Sequence, residues 1–164
     1  MDDEIIIVTR HLPHWVLEGA VYFVTFSTKN GLILSEIEQE IVKNHIIEGQ
    51  NKYYKLVSFV VMPNHIHILL IPTYNYTLQR IMKGIKGVSA HKINLNRNIQ
   101  NTLKSTSHVW QDESYDRIIR DAKDLNEKLE YIFFNPAKNG LTENPRNYPG
   151  YFLNEELVDD LSIK

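Results

Sequence analysis

The sequence contains no cysteine among its 164 residues, so neither disulfide bonds nor thiolate metal sites can form. It also lacks an apolar run near the ~18 residues that a membrane-spanning helix requires. Its first ten residues, MDDEIIIVTR, are acidic where a secretory signal would be basic, which predicts that no signal peptide is present. Together these absences predict a protein with no membrane partner that works in the cytoplasm.

Acidic residues are missing from the middle of the chain. No Asp or Glu lies between Thr73 and Gln111, although the chain has 20 acidic residues and a net charge of −2. A local field of one sign attracts a phosphate backbone whatever the total charge is. A solvated helix face would more often mix both signs, so the segment predicts contact with nucleic acid. Its cationic residues are Arg80, Lys83, Lys86, Lys92, Arg97 and Lys104.

The remaining patterns predict one α+β domain over residues 1–164, with its core at about 10–150 and a short tail at each end. Pro63-Asn64 is too short to connect parallel strands, so the flanking strands form an antiparallel hairpin. The element order β-α-β-β-α-β is the ferredoxin-like plan, with one further helix near the C-terminus. The predicted strands are 20–28, 53–62, 65–71 and a short one within 107–119. The predicted helices are 35–49, one that begins at 77, and 121–135. Pro136 is expected to end the last of these helices.

Two histidines interrupt an otherwise apolar stretch, VMPNHIHILLI at residues 61–71. Alternate residues of a strand share a face, so His65 and His67 lie on one face and Ile66 lies on the other. Imidazole binds metals in its neutral form, and a histidine with an unperturbed pKa of about 6.5 is mostly neutral at pH 7. The pair indicates part of a metal site that needs a third group, unless both side chains are simply half-exposed residues beside a turn.

The helix predicted from Asp121 carries two polar side chains outside its apolar stripe. Its apolar residues fall within an arc of about 100° on a helical wheel, whereas Tyr131 and Asn135 fall outside that arc. The two are four residues apart, so they are neighbours on a face shared with Asp124 and Lys128. This placement predicts a role other than core packing. Alternatively, Tyr131 anchors the helix on a neighbouring element and Asn135 caps its end.

A tyrosine beside a metal site suits phosphoryl transfer. A tyrosine oxygen can attack a phosphodiester when a cation neutralises the charge on the phosphate oxygens. The phosphotyrosyl product stores the bond energy for rejoining, so no nucleotide has to be hydrolysed. The chain contains no G-x-x-x-x-G-K-[ST] loop, which likewise predicts that no nucleotide cofactor is used.

Four stretches occur in the order typical of a known family: RHLPHWVLEGAVYFVTFST, VVMPNHIHILL, IMKGIKGVSAHKIN and VWQDESYDRIIRDAKDLNEKLEYIFFNPAKNGL. Over about residues 10–150 the sequence resembles the HUH-type single-tyrosine transposases, most closely the REP-associated tyrosine transposases. The resemblance implies a ferredoxin-like domain that recognises hairpin-forming DNA and cleaves a single strand. It also implies that a tyrosine attacks the phosphate, leaving a 5′-phosphotyrosine and a free 3′-hydroxyl.

The resemblance assigns roles to individual residues. It implies that Tyr131, in YIFFNP, is the nucleophile and that His65, His67 and Asn135 bind Mg²⁺ or Mn²⁺. Tyr115, in ESYDRIIR, also lies in a family-like segment and stays open as an alternative nucleophile. The proton acceptor also stays open, with Lys86 and a water molecule as the candidates.

The same resemblance implies contacts with single-stranded or hairpin DNA. They are expected from the cationic helix and from the N-terminal RHLPHW arm. Dimers occur in the family, so a homodimer in which Tyr131 serves either its own or a partner's metal site stays open. The expected DNA-binding residues are Arg80, Lys83, Lys86, Lys92, Arg10 and His14.

Two other functions fit parts of the sequence. A non-catalytic ferredoxin-like protein would bind nucleic acid through exposed aromatic rings on its central strands. A metal hydrolase would use water instead of tyrosine, with Asp112, Glu113 and Asp116 as added acids. The first would be indifferent to a chelator, and the second would release products free of protein.

Overall fold

An antiparallel sheet of five strands organises the protein, whose computed structural model describes residues 19–99 and 108–163, with side chains through Leu161. The strand order across the sheet is β4-β1-β3-β2-β5, and every neighbouring pair is antiparallel. The strands are β1 (Tyr22–Ser27), β2 (Tyr54–Val61), β3 (His65–Pro72), β4 (Tyr115–Ile118) and β5 (Tyr151–Leu153).

Four α-helices pack on this sheet in the described part of the chain. None of them is long and apolar enough to cross a membrane, over the residues that the structure describes. The helices are α1 (Glu36–Glu48), α2 (Leu78–Ile99), α3 (Ala122–Lys138) and α4 (Glu155–Ile163).

The first four strands with α1 and α2 form the predicted ferredoxin-like plan, which is thereby confirmed. The predicted capping box also begins α1: Ser35 Oγ accepts from the Glu38 amide at 3.2 Å, and the Glu38 carboxylate accepts from the Ser35 amide at 3.0 Å. Two elements were not predicted. Where the sequence indicated only a short tail, β5 extends the sheet beside β2, and α4 follows it.

The two faces of the sheet are covered by different helices. On one face, α1 and α2 pack against Ile66, Ile68 and Leu70 of β3. On the other face, α3 and α4 pack against Leu69 and Ile71. Because side chains alternate along a strand, His65 and His67 belong to the face covered by α3. Helix α2, which carries the cationic residues, therefore lies on the opposite face from the histidines.

The prediction that Pro136 ends the last helix is wrong, because α3 continues to Lys138. Pro136 lies in the last turn of α3, two residues before its end, and a proline lacks only one backbone N–H donor. The actual stop is Gly140, whose φ of 71° is a left-handed conformation that favours glycine. Its amide donates to Ala137 O at 3.0 Å, and the Leu141 amide donates to Pro136 O at 2.9 Å. These two bonds make a Schellman motif.

A buried ion pair joins the start of α3 to β4. Asp124 is 3% exposed, and its carboxylate accepts from both terminal nitrogens of Arg117 and from the Arg120 amide. The hydrogen bonds from Arg117 are the main reason that the pKa of Asp124 falls to about 2 from 3.8. The sequence placed Asp124 on the face of Tyr131, but the carboxylate serves this ion pair instead.

Replacing Asp124 with Asn is expected to lower the free energy of unfolding by about 2 kcal/mol at pH 7, since hydrogen bonds to a charged group are lost. A carboxylate whose pKa is lowered in the folded state stabilises the fold above its unfolded pKa of about 4, and that contribution disappears as the pH falls through about 2. Urea unfolding should therefore show a smaller difference between the two proteins at pH 3 than at pH 7. The exposed Glu127, replaced with Gln, is the control and should change little; an equal loss in both variants would contradict the account.

Candidate active site

Two histidines stand at the start of β3, directly after the turn at Pro63-Asn64. Their ring centroids lie 4.8 Å apart, and the rings are nearly perpendicular. His67 is 4% exposed, while His65 is half-buried at the end of the strand. The alternation expected from the sequence thus brings both imidazoles to one face, where they meet side chains of α3.

Each imidazole is held through its Nδ1 atom. His67 Nδ1 is 2.7 Å from Thr25 Oγ1 on β1, and His65 Nδ1 is 2.7 Å from Asn64 Oδ1 in the turn. These contacts fix the ring orientations and leave both Nε2 atoms for other partners. His67 Nε2 is buried and has no hydrogen-bond partner among the residues that the structure describes, and His65 Nε2 lies 3.3 Å from Asn135 Oδ1.

Burial keeps both histidines in the neutral form. It lowers the pKa of His67 to about 3, with smaller effects from the charges of His65 and Lys128. It also lowers the pKa of His65, although the hydrogen bond with Asn135 acts in the opposite direction. Neutral imidazole is the form that binds a metal, so both rings are ready to act as ligands at pH 7.

Helix α3 carries Tyr131 and Asn135 to the histidines. The Tyr131 ring centroid is 4.9 Å from that of His67 and 6.1 Å from that of Phe23. One turn later, Asn135 is 5% exposed, and its side-chain oxygen also accepts from Asn139 Nδ2 at 3.3 Å. Tyr131 itself is 40% exposed, so its ring contacts His67 on one side and solvent on the other.

The donor set at this point fits a hard divalent cation. If His65 Nδ1 carries the proton and donates to Asn64, the lone pair of His65 Nε2 faces the Asn135 oxygen. These two acceptor atoms lie 3.3 Å apart, and a cation bound to both would stabilise the arrangement. The orphaned Nε2 of His67 is a further nitrogen donor. In the described part of the chain, no third His, Cys, Asp or Glu joins the two imidazoles in a metal-binding group. The Asn135 carboxamide oxygen is the donor atom that lies next to them. Nitrogen and oxygen donors suit Mn²⁺ and, with water ligands, Mg²⁺.

A positively charged side chain, that of Lys128, also lies beside Tyr131. Lys128 Nζ is 5.8 Å from the centroid of the Tyr131 ring and 5.1 Å from that of Phe23. The sequence had placed Lys128 on this helix face by its spacing of three residues, but without a role. Thr25 and Asn64 were also missed as site residues, because only the strand register and the turn conformation bring them to the imidazoles.

The alternative nucleophile, Tyr115, lies farther from the histidines. In the register of the sheet Tyr115 is opposite Thr25, which in turn is opposite His67. All three share a face, but two strand spacings of ~4.8 Å separate the Tyr115 backbone from that of His67. Tyr115 is 59% exposed at the edge of the sheet.

The cationic residues predicted to bind DNA lie away from the histidines, on α2. Lys86 Nζ donates to the carbonyls of Gln111, Asp112 and Glu113 at 2.9–3.2 Å, so the suggestion that it accepts the Tyr131 proton is wrong. Arg80 and Lys83 are exposed, whereas Lys92 pairs with a glutamate on α1. Arg10 and His14 fall outside the described residues.

The acids considered for a hydrolase also lie away from the histidine pair. Asp112 and Asp116 line a cavity of about 820 Å³ beside α2, together with Lys83 and Lys86. Asp116 is opposite Val24, whose side chain packs in the core beneath α1 and α2. These carboxylates are therefore on the other face of the sheet from His67.

Comparisons with known proteins agree with this fold and identify a family. The family described as "Transposase IS200 like" matches residues 20–133. A candidate REP-associated tyrosine transposase of Haemophilus influenzae is 26% identical over 148 residues, covering 80% of this chain and 78% of the relative. The REP-associated tyrosine transposase of Escherichia coli is 22% identical over 138 residues, covering 82% and 77%.

The fold has a solved counterpart as well. The structure of a REP-associated tyrosine transposase bound to a REP hairpin matches with a TM-score of 0.66 and 20% identity, covering 98% of this chain and 88% of that one. The family match spans more than half of the chain, including both histidines and Tyr131. The chain therefore belongs to the IS200-like transposase family and is an HUH-type tyrosine transposase.

Proposed function

We propose that this transposase cleaves and rejoins single strands of hairpin-forming DNA through a covalent bond to Tyr131. The observation that carries the proposal is the position of the Tyr131 ring, 4.9 Å from the ring of His67 and one helical turn from Asn135, which contacts His65. In the first step Tyr131 Oη bonds to phosphorus and the bond from phosphorus to the 3′-oxygen breaks. The upstream strand leaves with a 3′-hydroxyl, and the downstream strand stays on the enzyme as a 5′-phosphotyrosine.

The reaction is proposed to depend on Mg²⁺ or Mn²⁺. His65 Nε2, His67 Nε2 and Asn135 Oδ1 would hold the ion. When bound, the ion neutralises negative charge on the phosphate oxygens that Tyr131 attacks. Thr25 and Asn64 fix the two imidazoles through their Nδ1 atoms, just as hydrogen bonds to the other ring nitrogen orient metal-binding histidines in other proteins.

Substrate access and charge also favour this role for Tyr131. Its exposed edge leaves room for a DNA strand, while Phe23 and His67 hold the other side of the ring. Lys128 places a positive charge near the ring, which attracts the phosphate and stabilises the negative charge that develops during the attack. Lys128 is therefore proposed to promote the attack electrostatically.

Replacing Lys128 with Met is expected to slow DNA cleavage by about 10- to 100-fold, because the positive charge beside Tyr131 is lost. Lys128→Arg keeps the charge and should retain most of the activity. The matched control is Lys123→Met, which removes an exposed lysine from the same helix. Single-turnover cleavage of a labelled oligonucleotide measures the effect; equal rates for both Met variants would refute the role of Lys128.

The DNA partner is proposed to be a hairpin with single-stranded flanks, since the solved REP-associated tyrosine transposase is bound to a REP hairpin. Arg80 and Lys83 are the exposed cations of α2 that are proposed to contact its backbone. The whole chain is proposed to act as one domain in the cytoplasm, where such DNA is accessible. A homodimer is compatible with the site, which is assembled here from β1, β3 and α3 of a single chain.

The test is covalent capture of a hairpin oligonucleotide labelled at its 3′ end. With Mn²⁺, the label is expected to migrate with the protein after denaturation, while a 5′ label stays on a free fragment. Cleavage with both labels free of protein would support a hydrolase and overturn the proposal. Binding without cleavage, over a set of hairpins taken from the sequences that flank the gene, would support the non-catalytic alternative.

A further inference from the structure

A second site is suggested by a cavity of about 550 Å³ between the end of α1 and the start of α2. This cavity, called the tyrosine pocket, is lined by Tyr53, Tyr76, Arg80, Lys83 and Gly84, among others. Its volume falls within the ~300–1,000 Å³ of ligand sites. We propose that the tyrosine pocket binds an unpaired nucleotide of the DNA, with the base on the tyrosine rings and the phosphate on the cations. The proposal rests on the proposed function, since it supposes a DNA substrate.

The aromatic groups form a platform at the edge of the core, against which the partly buried Tyr76 packs. Tyr53 and Tyr76 pack edge to face with ring centroids 4.9 Å apart, yet Tyr53 remains 44% exposed. The guanidinium of Arg80 lies 5.0 Å from the centroid of the Tyr76 ring. Exposed rings beside arginine are the combination by which proteins stack single-stranded bases, and such stacking is tolerant of base identity.

The charge of the pocket suits a phosphate. Lys52, Arg80 and Lys83 are exposed cations that line it. The acid in the pocket is Glu48, whose carboxylate is 2.9 Å from Lys92 Nζ, so its charge is offset. The local balance is therefore positive, as phosphate binding requires.

A glycine on the pocket wall adds an independent observation. Gly84 lies inside α2, where glycine costs about 1 kcal/mol relative to alanine. A Cβ atom at Gly84 would meet no atom of the described residues within 4 Å, so packing against this part of the chain does not explain the glycine. An exposed helical glycine permits close approach of a ligand to the backbone. Gly84 therefore leaves the mouth of the pocket open.

The position of the pocket separates it from the cleavage site. Tyr54, next to Tyr53, is opposite Pro72 at the end of β3 remote from His65. The seven-residue rise from His65 to Pro72 is about 23 Å at ~3.3 Å per residue, and the pocket is on the α2 face. The bound nucleotide is therefore not the scissile one but belongs to a loop or flank elsewhere in the substrate.

The experiment measures binding alone, using the Tyr131→Phe protein so that DNA is not cleaved. Fluorescence anisotropy at fixed salt compares a hairpin with an oligothymidine flank and the same hairpin with an abasic flank. The Tyr131→Phe protein with no further change is expected to prefer the thymidine flank by about 10-fold, because an abasic flank has no base to stack on the tyrosine rings. Tyr53→Ala should remove the preference, while Tyr53→Phe, which keeps the ring, should retain it.

Two glycine variants of the same helix provide a matched pair. Gly84→Leu adds a side chain that lines the tyrosine pocket, whereas Gly87→Leu adds one that lines the neighbouring cavity. At both positions an added Cβ meets no atom within 4 Å in the part of the chain that the structure describes. Only Gly84→Leu should abolish the preference for the thymidine flank, with unchanged circular dichroism in both variants.

Three results would overturn the pocket proposal: an unchanged preference in Tyr53→Ala and Gly84→Leu, an equal loss in Gly87→Leu, or a change in oligomeric state instead of DNA affinity. Sedimentation detects a change in oligomeric state, and such a change would indicate that the pocket binds a protein partner. Covalent capture by the protein with Tyr131 intact is scored separately. If capture persists while the flank preference is absent, the pocket assignment fails and the proposed function stands.

Discussion

Replacing Tyr131 with Phe is expected to abolish covalent capture of hairpin DNA, because the substitution removes the oxygen that bonds to phosphorus. The ring and its contacts with His67 and Phe23 are retained, so folding and DNA binding should be unchanged. The expected loss is complete within the detection limit, since a single nucleophile forms the covalent intermediate. Capture of a 3′-labelled oligonucleotide and anisotropy with the same DNA measure the two properties together.

The matched control is Tyr115→Phe, which removes the alternative phenol from β4. Tyr115 is exposed and lies two strands from His67, so this variant should capture DNA at close to the parental rate. The opposite pattern, with capture lost in Tyr115→Phe and retained in Tyr131→Phe, would transfer the role of nucleophile to Tyr115. Loss of capture in both variants would indicate that Tyr115 contributes to substrate binding.

Replacing His67 with Gln is expected to slow Mn²⁺-supported cleavage by at least about 100-fold. Removing a residue that only orients a ligand already costs about 10- to 100-fold in other metal sites, and His67 would be a ligand itself. Its buried Nε2 has no hydrogen-bond partner in the described part of the chain, and a bound metal would satisfy this atom. Titration calorimetry should show weaker Mn²⁺ binding in parallel with the slower cleavage.

The control for this variant is His91→Gln, which changes an exposed histidine on α2. It should leave both Mn²⁺ affinity and cleavage unchanged. A chelator should stop cleavage by the parent, and added Mn²⁺ should restore it. Cleavage by His67→Gln at the parental rate, or by the parent in excess chelator, would contradict a role for a metal at the histidine pair.

Local signals in the sequence were sufficient for most of the fold. Ser35 and Glu38 mark the start of α1, and Pro63-Asn64 marks the hairpin, because both act through contacts between near neighbours. The end of α3 was missed, since the decisive residue is Gly140 and not the more conspicuous Pro136. Strand β5 was missed because its three residues are too few for a pattern and are ordered by pairing with β2.

The features of the candidate site likewise include local ones that the sequence predicts and non-local ones that it does not. The i, i+4 spacing of Tyr131 and Asn135 and the alternation of the histidines are local, so their shared faces could be predicted. The packing of α3 beside β3 is not local, and there the family resemblance supplied the expectation. The distribution of charge along the sequence does not reveal which face of the sheet a residue lies on. For this reason Lys86 was a candidate acceptor of the Tyr131 proton, although it lies on the opposite face of the sheet.

The measurement that tests the central claim most directly is identification of the residue bonded to DNA. After capture and nuclease trimming, trypsin separates the two candidate tyrosines: Tyr131 falls in LEYIFFNPAK, residues 129–138, and Tyr115 falls in STSHVWQDESYDR, residues 105–117. Mass spectrometry is expected to find the phosphonucleotide on Tyr131. A modified Tyr115 with an unmodified Tyr131 would contradict the account.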